Sequence, residues 1–196
     1  MKTLYLDCGM GAAGDMLTAA LYELLDEREK QEFLAQMNAL GLPGVEVCAE
    51  AAEKCGITGT HMRVTVGGAE EDEHPHEHDH DHAHSALHAI EHRIAHLPVS
   101  ERVRRDIAAV YGLIAEAESH VHGVPVTQIH FHEVGSLDAL ADVTAVCLLM
   151  EELAADQVIA SPVHVGSGTV RCAHGVLPVP APATAYLLRD VPIYGG

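Results

Sequence analysis

The sequence predicts a mixed fold, α/β or α+β, in which a layered sheet packs against helices and carries a mobile histidine-rich loop. Strand-like and helix-like apolar patterns alternate along the 196 residues, and such alternation is typical of layered folds. Hydrophobic residues make up 48% of the chain, which is enough to bury a core. One acidic, histidine-rich tract has no apolar residue that could offset the entropy of ordering, so we expect it to be mobile.

The first third of the chain predicts a strand, a helical stretch and an antiparallel pair of strands. Residues 4–6 are a short apolar run that ends in a glycine-rich turn. From Asp15 onward the apolar residues recur at three- and four-residue steps, which indicates one long helix or two. Residues 45–49 and 60–66 are rich in β-type residues, and the glycines between them favour a hairpin.

Longer helices, extended segments and a short final helix are predicted for the rest of the chain. The helices are expected over residues 85–96, 100–122 and 136–154, and the extended segments over residues 129–134 and 158–165, the latter interrupted by Pro162. Ser100 and Gly123 suit the N-cap and the C-terminal stop of the longest helix. Glycines punctuate residues 166–175, which predicts a loop, and the short helix is expected to end near Arg189.

The charge balance excludes several classes of partner. The net charge is −18 with histidine neutral, and the chain has 16 histidines. Such an acidic surface repels nucleic acid and anionic lipid but suits metal cations. No apolar run approaches the roughly 20 residues of a membrane span, and Asp7 interrupts any signal peptide, so we expect a cytoplasmic protein. The 5 cysteines are scattered without a Cys-x-x-Cys pair, which indicates reduced thiols.

A tract of histidines and acidic residues over residues 67–84 is predicted to be a disordered insert in one domain formed by residues 1–66 and 85–196. Its imidazole and carboxylate groups suit nickel, copper or zinc, and its histidines include His76, His78, His80 and His82. From its end a histidine recurs every fourth residue, so that neighbouring pairs could grip one ion, at His84, His88, His92 and His96. The alternative is a solvated acidic linker with no metal role.

The most informative group of candidate ligands lies between residues 130 and 142. On an extended segment His130 and His132 point to one side, and Glu133 follows at the turn into a helix. Asp138 and Asp142 are four residues apart, so their carboxylates share one helix face. Two imidazoles and up to three carboxylates form the kind of N/O set that holds a metal with exchangeable positions. A buried structural cluster of the same residues is the alternative.

The glycine-rich turn Gly9-Met10-Gly11-Ala12-Ala13-Gly14 matches the dinucleotide-binding pattern without its full context. No acidic residue ends a second strand at the required distance, and Asp15 occupies the positive end of the helix that a pyrophosphate would need. Two other interpretations are open. The segment is either a tight turn whose helix Asp15 caps, or a metal or substrate-phosphate site flanked by Asp7 and Asp15.

Two polar residues stand out in the predicted loop near the C-terminus. Arg171 could hold a carboxylate or a phosphate, and His174 could add a metal ligand or carry a proton, while surface roles for both stay open. At the end of the longest predicted helix, His120 and His122 are more typical of a helix cap than of metal ligands.

Together these motifs resemble one family, the nickel insertion proteins of the LarC type, which complete the nickel-pincer cofactor of lactate racemase. The resemblance covers nearly all of the chain. It rests on Asp7-Cys8 with Gly11-x-x-Gly14-Asp15-Met16, the histidine-rich insert, Ala117-Glu118-x-x-Val121-His122-Gly123, His130-Phe131-His132-Glu133-Val134-Gly135 with Asp138 and Asp142, Gly166-Ser167-Gly168-Thr169-Val170, and the run from His174-Gly175 to Ala183-Thr184.

The resemblance implies a nickel chelatase, of the lyase class, that inserts Ni²⁺ into pyridinium-3,5-bisthiocarboxylic acid mononucleotide. Family members normally continue into a second domain that uses CTP with a divalent metal. We therefore expect this chain to be the N-terminal portion, with the C-terminal nucleotide domain absent. The expected partners are that C-terminal half, the mononucleotide, nickel and further copies of the chain in a homo-oligomer.

This hypothesis gives three roles to the candidate residues. The predicted metal ligands are His130, His132, Glu133, Asp7, His174 and, in the tract that collects nickel, His76, His78, His80 and His82. The predicted catalytic groups, which orient the ligands or accept the proton lost from the pyridinium carbon, are Glu133, Asp138 and Asp142. The residues predicted to lie near the substrate phosphate are Gly11, Gly14, Asp15 and Arg171.

Two other functions stay open on sequence grounds. A nickel storage or delivery module without catalysis would depend mainly on the histidine-rich tract. A metal-dependent hydrolase would use the close histidines and aspartates to hold a metal-bound hydroxide. Under either function metal binding should weaken as the pH falls through about 6.5, because protonated imidazole cannot ligate a metal.

Overall fold

Helices and small two-stranded sheets make up the protein, which confirms the α+β expectation. The computed structural model describes residues 1–69, 85–131, 134–172 and 174–196, and of Ser85, Ala86 and His130 only the backbone. The predicted insert falls mainly on residues 70–84, outside the described part. No helix in the described part is both long enough and apolar enough to cross a membrane.

The main helices and the predicted hairpin follow one another in the order that the sequence predicts. The first half contains β1 (Thr3–Leu6), α1 (Gly14–Tyr22), α2 (Glu27–Asn38), β2 (Val45–Lys54), β3 (Ile57–Val66), β4 (Ser85–Ala86) and α3 (Leu87–His96). The second half contains α4 (Glu101–His122), a 3-10 turn (Val126–Gln128), β5 (His130–Phe131), α5 (Leu137–Leu153), β6 (Gln157–Ala160), β7 (Val163–His164), β8 (Thr169–Cys172), β9 (Gly175–Pro178), α6 (Pro182–Leu187) and β10 (Ile193–Tyr194). Strands β4, β8 and β9 were not predicted, and the segment over residues 158–165 forms two strands, β6 and β7.

Local sequence signals explain where the helices begin and end. Asp26 and Glu29 form a capping box at the start of α2, since each side chain accepts a hydrogen bond from the other residue's backbone N–H. Ser100 caps α4 by accepting a hydrogen bond from Val103 N, and Gly123 ends that helix in the left-handed conformation, as expected.

The core is built around one face of α4. Val103, Ile107, Tyr111 and Ala115 recur every four residues and are at most 1% exposed. They belong to a single hydrophobic cluster that also takes side chains from α1, α2, the β2–β3 hairpin, α3 and α5. Helix α5 packs against both α1 and α4, so that it lies at the centre of the protein.

The strands pair in twos. Strands β2 and β3 form the predicted hairpin, in register from Val45 opposite Val66 to Lys54 opposite Ile57. Strand β1 pairs in parallel with β6, and β7 pairs in parallel with β10. Strand β4 pairs with β5 in antiparallel fashion, and this pairing fixes the backbone of His130 opposite Ala86.

One predicted loop is instead a hairpin. Residues 166–175 contain β8, which pairs in antiparallel fashion with β9 from Thr169 opposite Pro178 to Cys172 opposite Gly175. The strand was not predicted because it has only four residues and lies in a glycine-rich segment. Gly168 and Gly175 both have positive φ, 92° and 93°. Gly168 lies directly before β8 and Gly175 is the first residue of β9, so both glycines lie at the ends of strands.

Candidate functional site

Two helix N-termini meet where most of the predicted catalytic carboxylates lie. Helix α1 carries Asp15 in its first turn, helix α5 carries Asp138 in its first turn, and the two helices pack against each other. The positive end of a helix dipole favours a carboxylate in its first turn. Asp142 lies one turn further along α5, and we refer to Asp15, Asp138 and Asp142 as the carboxylate cluster.

Asp142 is the most unusual member of the carboxylate cluster. Its Oδ1 atom is buried and accepts no hydrogen bond from any described residue. Burial, with smaller contributions from the charges of Asp15 and Asp138, raises the pKa of Asp142 to about 6. At neutral pH the carboxylate is therefore mostly ionised although it lacks a donor, an arrangement that a bound cation would stabilise.

Gly14 allows the first turn of α1 to approach Asp142 closely. A Cβ atom at Gly14 would lie 2.9 Å from Asp142 Oδ2 and 3.0 Å from Asp142 Cβ. The glycine turn before it is closed by a hydrogen bond from Gly11 N to the carbonyl of Cys8, 3.0 Å long, and Gly11 has a φ of 97°. Because Gly14 faces the Asp142 carboxylate, the electrostatics of this turn favour a cation, and the predicted contact with the substrate phosphate stays a prediction.

Tyr111 connects the core to the segment that carries the predicted metal ligands. Its hydroxyl donates a 3.2 Å hydrogen bond to the carbonyl of Val134, and its ring meets that of Phe131 edge-on at 5.9 Å. Both flanks of residues 132–133 are thus attached to α4. Burial first, and the charges of Asp138 and Asp142 next, raise the pKa of Tyr111, so it remains a neutral donor.

Replacing Tyr111 by phenylalanine is expected to lower the free energy of unfolding by about 1 kcal/mol, because the partly buried carbonyl of Val134 loses its donor. The matched control is Tyr5→Phe, since Tyr5 is 60% exposed and should tolerate the change. Chemical denaturation of the three proteins measures both effects. Equal stability of the Tyr111 variant and the unaltered protein would contradict the anchoring role.

The predicted ligand set stays a prediction. His132 and Glu133, with His76, His78, His80 and His82, lie outside the described residues, and His130 is described by its backbone alone. Among the described residues, no group of three or more His, Cys, Asp or Glu side chains stands close enough to hold a metal ion. The carboxylate cluster alone therefore does not form a metal site. The imidazoles of the 130–133 segment would be needed to complete a coordination sphere.

The other predicted site residues lie on separate elements. Asp7 follows β1, where its Oδ1 atom accepts a 3.0 Å hydrogen bond from Gly9 N and stabilises the turn. Arg171 is exposed on β8 opposite Val176, and it forms no ion pair with any described residue. Neither position joins the carboxylate cluster through a contact in the described part of the chain.

His174 contacts His122, a residue that was predicted to be a helix cap rather than a metal ligand. Its ring lies 4.9 Å from the ring of His122 in the last turn of α4. The Nε2 atom of His122 in turn lies 3.2 Å from Glu118 Oε2. The sequence suggested a capping role for His122, and the signal for a wider role was the Glu118-to-His122 spacing of four residues, which places both side chains on one helix face.

Comparison with known proteins shows which family the chain belongs to. A family model described as nickel insertion protein matches residues 4–196. The chain is 41% identical over its whole length to the pyridinium-3,5-bisthiocarboxylic acid mononucleotide nickel insertion protein of Clostridium kluyveri, of which it covers 49%. It is 39% identical over 98% of its length to the protein of the same name from Geobacillus kaustophilus, of which it covers 46%.

A protein from Dictyoglomus thermophilum with the name putative nickel insertion protein is 35% identical over 99% of the chain, which covers 47% of that relative. No solved structure matches the chain. The chain thus spans about half the length of these curated relatives. The family model covers nearly all of its residues, and the chain belongs to the nickel insertion protein family.

Proposed function

We propose that this chain carries the nickel-handling site of a protein that inserts Ni²⁺ into pyridinium-3,5-bisthiocarboxylic acid mononucleotide. The observation that carries the proposal is the buried Asp142 oxygen without a hydrogen-bond donor, in a cluster of carboxylates at two helix N-termini. The names of the relatives support nickel as the metal and this mononucleotide as its acceptor.

Nickel is a substrate in this reaction, and the site must release it. Carboxylate and imidazole ligands are harder than the thiocarboxylate sulfurs of the acceptor, so the sulfurs can draw nickel from an open N/O site. We assign the ligands to His130, His132 and Glu133. Tyr111 supports this assignment, because it contacts both flanks of residues 132–133 and lies near the charges of Asp138 and Asp142.

Insertion also requires a proton acceptor. As nickel bonds to the pyridinium carbon, the C–H bond breaks, its electron pair forms the carbon–nickel bond, and the proton goes to a base. We assign this role to Asp142, because its buried Oδ1 atom accepts no hydrogen bond from any described residue and can take up a proton. Asp138 would orient the ligands from the first turn of the same helix.

The proposal extends to the complete protein. We propose that the reaction is of the lyase class, that CTP with a divalent metal is used on the C-terminal half, and that the product is the nickel-pincer cofactor of lactate racemase. We also propose that the whole protein assembles as a homo-oligomer. The resemblance of the motifs to the LarC family supports these points, and the chain's coverage of about half of each relative leaves room for a second domain.

Nickel transfer by histidine variants tests the proposal. We expect His130→Ala and His132→Ala each to reduce transfer to the dithio-pyridinium mononucleotide by about 100-fold or more, since each removes one metal ligand. The assay supplies CTP, Mg²⁺ and a C-terminal domain. His61→Ala is the matched control, because His61 is an exposed histidine on β3 that is not among the predicted metal ligands. Normal transfer by both site variants would exclude the assignment.

A nickel store is the second candidate, and the histidine-rich sequence of residues 74–84 favours it. Deleting this segment separates the two functions. A store should lose most of its bound nickel in equilibrium dialysis, whereas an insertion protein should keep its transfer rate at saturating nickel. Loss of transfer that excess nickel does not restore would contradict a purely collecting role for the tract.

A further inference from the structure

Two histidines from different parts of the chain meet at the C-terminal end of α4. The ring of His122 lies 4.9 Å from the ring of His174, and the two planes are tilted by 43°. His122 is the last residue of α4, and His174 directly precedes β9. We refer to these two residues as the histidine pair, and neither belongs to the carboxylate cluster.

Glu118 orients one member of the histidine pair. Its Oε2 atom lies 3.2 Å from His122 Nε2, within hydrogen-bond distance. A carboxylate beside one ring nitrogen keeps the proton on that nitrogen, so the lone pair of the other nitrogen, Nδ1, is available. Histidine ligands of metals almost always have such a partner on their second nitrogen. The contact therefore prepares His122 to bind a metal ion through Nδ1.

The end of helix α4 adds a field that favours a cation. The helix has 22 residues and ends at Gly123, which adopts the left-handed conformation. The carbonyl groups of the last turn give this end of a helix a partial negative charge. The net charge of −18 acts in the same direction. A divalent cation is thus favoured beside His122.

A third histidine in the same turn of α4 is engaged elsewhere. The ring of His120 lies 4.5 Å from the ring of Tyr186 in α6, at a tilt of 34°. His120 precedes His122 by two residues, which places it about 200° away around the helix axis. It therefore does not face the histidine pair, and it offers a control of the same residue type in the same turn.

We propose that His122 and His174 together bind a divalent transition-metal ion, with Glu118 as the orienting group. Imidazole nitrogens suit Ni²⁺, Cu²⁺ and Zn²⁺. Each imidazole can bind the ion through one nitrogen while the other nitrogen contacts the protein. No three His, Cys, Asp or Glu side chains of the described residues could hold an ion together, so the site has two protein ligands and water in its remaining positions. An ion held in this way exchanges readily.

For nickel insertion, the histidine pair would take up nickel from solution before it reaches the predicted ligands, and this role rests on the proposed function. Both histidines are exposed, so an ion can enter from solvent. His122 lies 11 residues beyond Tyr111, which places it on the same face of α4 and about 16 Å further along the axis. Because Tyr111 contacts both flanks of residues 132–133, the two sites lie along one side of the helix.

A nickel titration of the 196-residue chain, followed through the NMR signals of individual imidazole rings, tests the histidine pair. Paramagnetic Ni²⁺ broadens the signals of rings that bind it, and it is added until the histidine-rich tract is saturated. We expect His122 and His174 to broaden together. His122→Ala should raise the nickel concentration that broadens His174 about 30-fold or more, and Glu118→Gln should raise it about 10-fold. The control His120→Gln should change it by less than about twofold.

The reciprocal variant checks that the two rings share one ion. His174→Ala should weaken the response of His122 about as much as His122→Ala weakens that of His174. Sharp signals from both rings at saturating nickel, or an unchanged His174 response in His122→Ala, would overturn the histidine pair. The transfer assay of the His130 and His132 variants tests the proposed function separately, so normal transfer there with nickel bound at the pair would exclude the predicted ligands and leave the pair intact.

Discussion

Replacing Asp142 by asparagine is expected to slow nickel insertion by about 100-fold or more and, at the same time, to stabilise the metal-free protein above pH 7. The loss of activity follows from removal of the proposed base. The gain in stability follows from the pKa of Asp142, which is raised to about 6 from 3.8 by burial and then by the charges of Asp15 and Asp138. Opposite effects on activity and stability are expected where a functional group is held in an unfavourable setting.

The pH dependence of this effect has a definite sign. Between about pH 4 and 6 the folded state binds a proton at Asp142 that the unfolded state has released, so stability falls as the pH rises through this window. Above about pH 7 the penalty is complete. A shift of this size corresponds to about 3 kcal/mol, and partial exposure of the carboxylate to solvent reduces the expected gain in Asp142→Asn to about 1–2 kcal/mol.

Denaturation of the metal-free proteins at pH 4.5 and at pH 7.5 checks this prediction. The Asp142→Asn variant should be more stable than the unaltered protein at pH 7.5, and most of the difference should vanish at pH 4.5. The control Glu116→Gln removes the same charge from an exposed position on α4 and should show little change at either pH. A destabilised Asp142→Asn protein at pH 7.5 would show that the carboxylate is well solvated or paired.

The second large effect is expected for Gly14→Ala. The new Cβ atom would lie 2.9 Å from Asp142 Oδ2, 3.0 Å from Asp142 Cβ and 3.2 Å from Asp142 Cγ. Either α1 or the Asp142 side chain must move, at a cost of about 1–3 kcal/mol in the free energy of unfolding. Because the movement also displaces Asp142, nickel transfer should fall even though no charged group is removed.

A matched glycine substitution and a double-mutant cycle identify the cause of the lost stability in Gly14→Ala. Gly112 lies in the exposed middle of α4 with no atom within 4 Å of a Cβ atom placed there, so Gly112→Ala should stabilise the protein by about 0.5–1 kcal/mol. The cost of Gly14→Ala should shrink in an Asp142→Gly background, because the three clashing atoms are gone. An unchanged cost in that background would mean that the strain has another source.

Much of the fold could be predicted from local sequence patterns. Ser100 and Gly123 bound α4 as expected, and the β-type residues around Cys55 form the predicted hairpin. Residues 166–175 were wrongly predicted to be a loop. The reason is that β8 is stabilised by pairing with β9, and the glycines and prolines of this region obscure the pattern of both strands. Pairings such as β1 with β6 join residues about 150 positions apart, and no local pattern contains that information.

The sequence likewise predicted some features of the candidate site and not others. The four-residue spacing of Asp138 and Asp142 predicted a shared helix face, whereas the approach of Gly14 and Asp15 depends on the packing of α1 against α5. The raised pKa of Asp142 is likewise a property of packing, because burial is its largest cause. The stacking of the His120 ring on the Tyr186 ring comes from the contact of α4 with α6, which spacing alone cannot reveal.

The position of nickel in the folded protein tests the central claim most directly. Crystals grown with Ni²⁺ and measured at the nickel absorption edge would show each metal ion as an anomalous peak. We predict a peak near the carboxylate cluster, with imidazole nitrogens of His130 and His132 and the carboxylate of Glu133 in its coordination sphere. Strong peaks elsewhere on the protein, with none near the carboxylate cluster under saturating nickel, would contradict the account.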